Sequence, residues 1–491
     1  MTDGGKAAGD LFCGIDLGTG GARCVFVSPS GDIVSRGECG LEDQRLEGLP
    51  PGWFEQDPWN WLTAVKGAVR EAASSCESPE RLCGIGVTST SGTVCAVDRW
   101  GNPVRHAIMY NDSRSEMEAE QVQRCGQEVA RRLGYRFKPS FALPKLLWLR
   151  EHEPHTMDQT ARFVSPSDYL IGWMTGSWNT TDQTNALKYG YDLLEDRWPD
   201  FIEDDLDIPL STLPGVIHSG EEAGKLLSDI AETLGLPAGV PVAAGMTDGC
   251  ASQVSSGAVT PGDINTTIGT TLVMKAVSEK LLLDPAGRIY CHRHPEGWWL
   301  PGGASNTGAK CLQDEFGEAQ IAERSRRALE VSPTSLTAYP LTGTGERFPF
   351  CSSRAEGFLL GEPSCRDELF AAYLEGVACV ERLGIELLAT LNADPGETVY
   401  SAGGGSASRE WLQIRADILG RQVARPAEPG AAMGAAIAAA SHRAYDSLSE
   451  AARQMVRIET VVEPRQETAE HYGDKFYQFR RECACRGYIG E

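Results

Sequence analysis

The chain has 491 residues, of which 41% are hydrophobic and 23% charged, the make-up of a soluble globular protein of more than one domain. Its 45 Lys and Arg against 68 Asp and Glu leave a formal charge of −23, which argues against nucleic acid or an anionic membrane as partner. Fifteen cysteines are scattered without a CxxC pair, and Cys291-His292-Arg293-His294 lacks a second ligand pair at zinc-site spacing, so free thiols in a reducing compartment are expected.

Residues 1–10 are polar and Gly/Ala-rich, with no apolar signal core and no Arg-rich transit character, and no apolar run reaches membrane-spanning length. The expected compartment is the cytoplasm, or a plastid where a transit peptide has been removed from a longer precursor. Phe12 to Val27 then reads as strand, Gly-rich turn, strand. Pro58 to Ala73 has helical spacing after Asp57, and Leu82 to Val97 is strand-like around Thr88-Ser89-Thr90-Ser91-Gly92-Thr93. Ser115 to Leu133 reads as one amphipathic helix, Leu143 to Arg150 as another, and Ser167 to Met174 as a third that ends at Gly176. A short buried strand over 241–245 leads into Met246-Thr247-Asp248-Gly249 and a helix to Ser256. Gly257 to Asp263 is the best linker, because the strand–turn–strand pattern restarts after it; the expected domains are 1–256 and 257–491. The second half holds a long helix over 366–391, a strand over 398–401, the turn Ala402-Gly403-Gly404-Gly405-Ser406, a helix over 410–419 and a small-residue helix over 430–440 suited to close packing. Strands alternating with helices, in two halves that echo each other, indicate an α/β class.

Two Gly-Thr turns carry the chemistry. The first is Gly14-Ile15-Asp16-Leu17-Gly18-Thr19-Gly20-Gly21-Ala22-Arg23; the second is Thr267-Ile268-Gly269-Thr270-Thr271-Leu272. Such turns aim backbone N–H groups and hydroxyls at one anion, so two of them suggest two lobes gripping a polyphosphate. Only the first contains an acid, Asp16, which suggests a Mg²⁺ held from one side through its waters. No P-loop and no Gly-x-Gly-x-x-Gly after a strand occurs, so any nucleotide site is of another type. Asp248, between a strand and a helix, is either a helix cap or a general base, and the two roles are compatible. Trp53-Phe54-Glu55-Gln56-Asp57, Ser91 and Asn111-Asp112-Ser113-Arg114 supply aromatic, carboxylate and hydroxyl groups of the kind a polyol site needs. Gly404, Gly405, Ser408 and Trp411 form a strand-to-helix turn that a planar base can approach.

The chain resembles the FGGY carbohydrate kinases over nearly its whole length. The matching segments are Gly14–Arg23, Trp53–Pro58, Ile108–Arg114, Pro144–Leu149, Asp168–Gly176, Thr181–Asp192, Ala244–Gly249, Thr267–Val273, Gly357–Gly361, Tyr373–Val377, Ala402–Ile414 and Pro429–Ala438. The resemblance implies two actin-like (ribonuclease H-like) ATPase domains with a central cleft, closing on ATP-Mg²⁺ and a sugar. It implies Asp248 as base, Asp16 as the acid on the metal and substrate side, and Thr19, Gly20, Gly269, Thr270, Thr271, Gly308, Gly404, Gly405, Ser408 and Trp411 as ATP contacts. Glu55, Asp57, Ser91 and Asp112 are the remaining sugar candidates. Typical xylulose kinases carry Gln-Met-His-Gly where this chain has Ser89-Thr90-Ser91-Gly92, and the stretch looks most like the plant and cyanobacterial kinases that favour D-ribulose. The expected reaction is ATP-dependent phosphorylation of D-ribulose, with D-xylulose as the alternative and a monomer or homodimer as the acting form. An actin-like chaperone ATPase and a sugar sensor are the readings from other classes. Both lose ground because no peptide-binding appendage follows residue 440 and both acids are present.

Overall fold

A computed structural model describes residues 10–42 and 46–490, which divide into two compact α/β units. The first unit takes the chain up to Ser255, together with residues 292–297 and 430–456. Its sheet is built from β1 (Leu11–Gly18), β2 (Gly21–Val27), β3 (Ile33–Gly40), β4 (Leu82–Ser89), β5 (Glu222–Lys225), β6 (Pro241–Ala243) and β7 (Met246–Thr247). The order is β5-β6-β4-β1-β2-β3, with β7 also on β4. β1 runs antiparallel to β2 and parallel to β4, and it is buried along almost its full length, as its near-continuous apolar sequence requires of a central strand. Helix α1 (Pro58–Ser74) starts where the Asp57 carboxylate accepts from Trp59 N and Pro58 occupies the first turn; it lays Trp61, Leu62, Val65, Ala68 and Val69 into the core.

The helix expected over 115–133 is two, Glu116–Cys125 and Gln127–Leu133. They meet at Gly126, where an added Cβ would lie 2.7 Å from the Phe201 ring and 2.8 Å from the Phe137 ring, so aromatic packing fixes the break. Further on come α2 (Ala142–His152) and α3 (Pro166–Thr175), the latter opened by a Ser165/Asp168 capping box and closed by Gly176 in the left-handed region. Helix α4 (Asp248–Ser256) follows β7 directly.

The second unit repeats this plan. Its sheet contains β8 (Ile264–Ile268), β9 (Leu272–Ala276), β10 (Tyr290–Arg293, of which residues 290 and 291 belong to this unit), β11 (Trp299–Ala304), β12 (Thr398–Ala402), β13 (Gln422–Pro426) and β14 (Ile458–Val462) in the order β10-β11-β9-β8-β12-β13-β14. Strand β8 is antiparallel to β9 and parallel to β12, as β1 is to β2 and β4. Between these strands run α5 (Lys310–Phe316), the 25-residue α6 (Arg366–Thr390) and α7 (Arg409–Leu419). The fully buried Arg415 of α7 grips Glu381 of α6 with Nε and Nη2 at 2.8 and 2.7 Å and donates to Thr266 Oγ1 on β8 and Ser401 Oγ on β12. One satisfied ion pair thus fixes the two strands whose ends carry the Gly-rich turns.

The chain then returns to the first unit as α8 (Ala431–Ala440), although the restart at 257 suggests a single boundary. The reason lies in the backbone approach. A Cβ on Gly14 of β1 would lie 1.8 Å from Ala432 O, and one on Gly86 of β4 2.0 Å from Ala435 O, so only Gly against Ala lets this helix lie on that sheet. All fifteen cysteines are free thiols, and among the described residues no helix is long and apolar enough to cross a membrane.

Candidate active site

In the first unit the ends of β1, β4 and β7 bring two acids together. Asp16 lies near the end of β1, paired in register with Arg23 across the hairpin and with Thr88 on β4. It is 8% exposed, and its Oδ1 has no hydrogen-bond partner. Burial, and next the negative charge of Asp248, push its carboxyl up to about 6 against the opposing pull of Arg23. An orphaned, buried carboxylate oxygen beside a second acid is a donor set that a hydrated divalent cation fits.

Asp248 is the first residue of α4 and half-buried; its Oδ1 accepts from Gly249 N at 2.6 Å. The strand before it is pinned from two sides. Thr88 Oγ1 donates to Met246 O at 2.8 Å, and Thr247 N donates to Thr184 Oγ1 at 2.9 Å. Thr184 is held in turn by the fully buried Asp182, which also accepts from Asn185 N and Nδ2. Asn185 Nδ2 reaches Ser167 Oγ, and Ser167 N donates to Ser89 Oγ, so the hydrogen bonds run from the Asp248 strand back to the end of β4. Sequence reasoning gave Asp182 and Thr184 no role. An acid in a polar segment carries no signal of burial until the fold encloses it.

Just past β4, Ser91 is half-buried, and its carbonyl accepts from Lys188 Nζ at 3.3 Å. Gly92 has φ of +83° and faces Ser140 O at 2.3 Å from a would-be Cβ, so this turn accepts glycine alone. The other three sugar candidates are engaged elsewhere. Asp57 caps α1. Asp112 accepts from Phe54 N at 2.6 Å and takes Arg114 Nε and Nη2 at 2.9 and 2.7 Å. Glu55 lies 2.7 Å from Arg114 Nη1, an ion pair without hydrogen-bond alignment, and pairs with Arg105. Arg114, whose side chain is fully buried, has its guanidinium 3.7 Å from the Trp53 ring centroid and 4.9 Å from that of Trp148. Glu55 and Asp112 therefore neutralise an internal arginine and brace the 53–57 and 110–114 segments. The Arg114 role was invisible in the sequence because its partners are 2 and 59 residues away.

Thr19 and Gly20 are exposed at the β1–β2 turn; Thr19 O accepts from Gln56 Nε2 at 2.9 Å. The second Gly-Thr turn occupies the corresponding place between β8 and β9. It is braced by residues 305–310: Ser305 N donates to Leu272 O, Leu272 N to Thr307 O and Ala309 N to Gly269 O, each at 2.8 Å. Gly308 lies on Thr270 and Thr271, where a Cβ would sit 2.5–2.6 Å from their backbone. By contrast a Cβ on Gly269 or Gly404 would meet nothing within 4 Å, so both turns present bare backbone to open space. Gly403 makes the sharp exit from β12 at φ of +80°. Gly405 is buried on Ile268 and Trp411; Trp411 itself is core, its indole N–H donating to Leu374 O at 3.3 Å. Ser408 caps α7 through Trp411 N.

Comparison with known proteins decides the family. The profile of the FGGY family of carbohydrate kinases matches in both its parts, the N-terminal domain over residues 11–255 and the C-terminal domain over 264–442. The chain belongs to the FGGY family of carbohydrate kinases. It is 29% identical to the xylulose kinase of Escherichia coli (strain K12) over 443 residues, covering 87% of this chain and 89% of that protein. It is 27% identical to the xylulose kinase of Bacillus subtilis (strain 168), covering 94% of each. The crystal structure of xylulose kinase from Rhodospirillum rubrum superposes with a TM-score of 0.85 at 27% identity, covering 97% of this chain and 98% of that one. The FGGY kinase thus has the two-domain, actin-like α/β fold of those structures.

Proposed function

We propose that this carbohydrate kinase transfers the γ-phosphoryl group of ATP to the C5 hydroxyl of a ketopentose. The observation that carries the reading is the Asp16–Asp248 pair at the C-terminal ends of the first unit's central strands, the position where open α/β sheets bind ligands. Asp248 takes the proton of the attacking hydroxyl, a step whose loss typically costs ~10²–10⁴-fold. Its carboxylate sits on a helix start whose strand is held by hydrogen bonds on both sides, so it approaches the hydroxyl in a fixed orientation. Asp16 would hold a hydrated Mg²⁺, which would supply neutralisation of charge on the phosphates. Thr19, Gly20, Gly269, Thr270, Thr271 and Gly308 position phosphate, and Gly404 leaves backbone room for the nucleoside, with Gly405, Ser408 and Trp411 fixing the turn beneath it. Ser91 contacts the sugar directly; Glu55, Asp57 and Asp112 act on it by holding the surrounding loops.

Each of two sugars has its own support. The names of the curated relatives favour D-xylulose, whereas the small hydroxyl residues of Ser89-Thr90-Ser91-Gly92 favour D-ribulose. The test is ADP release from ATP-Mg²⁺ with D-ribulose, D-xylulose, L-ribulose, glycerol or no sugar, ranked by kcat/KM. Turnover that depends on one ketopentose supports the reading; equal slow turnover in all five mixtures overturns it.

A further inference from the structure

Glu346 sits in the second unit, in the stretch between β11 and α6. It is 5% exposed and makes no ion pair among the described residues, yet its carboxylate collects five donors. Oε1 accepts from Asn306 N at 2.6 Å and from Arg347 N at 2.9 Å. Oε2 accepts from Ser305 Oγ at 2.7 Å, Tyr339 Oη at 3.0 Å and Thr307 Oγ1 at 3.1 Å. Three of the five belong to consecutive residues, 305–307. The corner that bears Glu346 is itself tied to the same segment: Asn306 Nδ2 donates to Gly345 O at 2.9 Å, and Arg347 Nε to Ala304 O at 2.8 Å. Its backbone is fixed by reciprocal bonds to Ser352 at 2.8 and 2.9 Å.

Burying a carboxylate is costly unless its lone pairs are filled, and here neutral donors fill them. A stretch of chain that needed only to be stable would be served as well by apolar packing. What the charge adds is orientation. Ser305 and Thr307 bond both backbone groups of Leu272, the residue that follows the Gly269–Thr271 turn; Gly308, next in line, lies against Thr270 and Thr271, and Ala309 N donates to Gly269 O at 2.8 Å. The hydrogen bonds therefore run from Glu346 through Ser305 and Thr307 to Leu272 at the end of the turn, and the segment they fix continues into Gly308 and Ala309, which touch the turn itself.

We propose that Glu346 is a positioning residue for the nucleotide phosphates, acting through Ser305–Gly308 on the Gly269–Thr271 turn. This rests on the reading of that turn as the phosphate site. Glu346 does not touch nucleotide; it sets the distance and angle at which the turn's N–H groups meet phosphate. Its removal loosens nucleotide binding while leaving sugar affinity in place, because every donor it holds belongs to the second unit, whereas Asp16, Asp248 and Ser91 belong to the first.

The experiment uses the full chain with ADP-Mg²⁺ as probe in calorimetry, alongside KM for ATP and for the preferred sugar. Glu346→Gln keeps the shape but replaces one acceptor oxygen with a donor. It is expected to weaken ADP binding and raise KM for ATP roughly tenfold, the scale of one charge-assisted hydrogen bond, with KM for sugar within about twofold. Glu346→Asp, which restores the charge on a shorter arm, is expected to recover part of the loss. Should Glu346→Gln fail to fold, Ser305→Ala cuts the 2.7 Å bond at its other end and must show the same split between ATP and sugar. Gly308→Ala is the reference, since its methyl strikes Thr270 and Thr271 directly. If Gly308→Ala leaves ADP affinity intact, the phosphate-turn reading fails. If Gly308→Ala weakens ADP binding while Glu346→Gln does not, or if Glu346→Gln raises both KM values together, the positioning role alone is overturned.

Discussion

Gly434→Ala tests whether close helix packing holds the catalytic base in place. Gly434 of α8 faces the backbone of α4, where an added Cβ would lie 2.0 Å from Ala251 O and 2.5 Å from Ala251 C. These are backbone atoms on two packed helices, so no side chain can swing aside. Ordinary contact begins at 3.4 Å, so the helices must part by about 1.4 Å at this point. Ala251 is three residues after Asp248 on the same helix, and much of that shift reaches the carboxylate. Overpacking of this kind costs ~1–3 kcal/mol of stability, and a misplacement of about 1 Å in a catalytic group costs on the order of 10²-fold. The assay is kcat with saturating ATP-Mg²⁺ and sugar at a temperature well below the thermal midpoint, together with KM for ATP. A fall of roughly 10–100-fold in kcat with KM for ATP held is the expected result. A variant with wild-type kcat and a lowered midpoint refutes the idea that α8 sets the position of Asp248.

Arg114→Leu strands the Asp112 carboxylate without its buried cation, leaves Glu55 paired with Arg105, and is expected to destabilise the first unit by ~3–5 kcal/mol, read from denaturant titration. Burial and the neighbouring Asp182 charge push the Asp168 carboxyl up to about 7 from its ordinary 3.8. Between about pH 4 and 7 the folded chain then keeps a proton that the unfolded chain has lost, so stability falls as pH rises through this window. Asp168→Asn is expected to flatten that part of the thermal-midpoint profile, and an unchanged slope counts against the shift. Asp16→Asn is expected to raise the Mg²⁺ concentration needed for half-maximal turnover by roughly tenfold or more while the fold, followed by circular dichroism, stays intact.

The central strands, the two Gly-Thr turns and the acid at 248 were legible because their signals are local: an apolar run, a Gly-Thr pair, an acid between strand and helix. The pairing of Asp16 with Asp248 was legible only as an implication of family likeness, since 232 positions separate them and no periodicity joins them. Gly14, Gly86 and Gly434 show the same limit. Their need for glycine comes from a helix hundreds of residues away in sequence or from its partner, which composition does not reveal. The break at Gly126 leaves no mark in the sequence, because an amphipathic pattern runs on through it and the two phenylalanines that press there come from other segments. Acids beside aromatics, as at Glu55 and Asp112, suit a polyol, and the same residues suit a buried guanidinium; the fold supplies Arg114, a partner that local sequence does not reveal.

The most direct test of the account is phosphoryl transfer by Asp248→Asn. The side chain keeps its shape and an oxygen to accept from Gly249 N but can no longer take a proton. With ATP-Mg²⁺ saturating and D-ribulose or D-xylulose as acceptor, kcat is expected to fall ~10²–10⁴-fold while KM for ATP and the thermal midpoint stay near wild type. Sugar phosphorylation at the wild-type rate would contradict the assignment of Asp248 as the base.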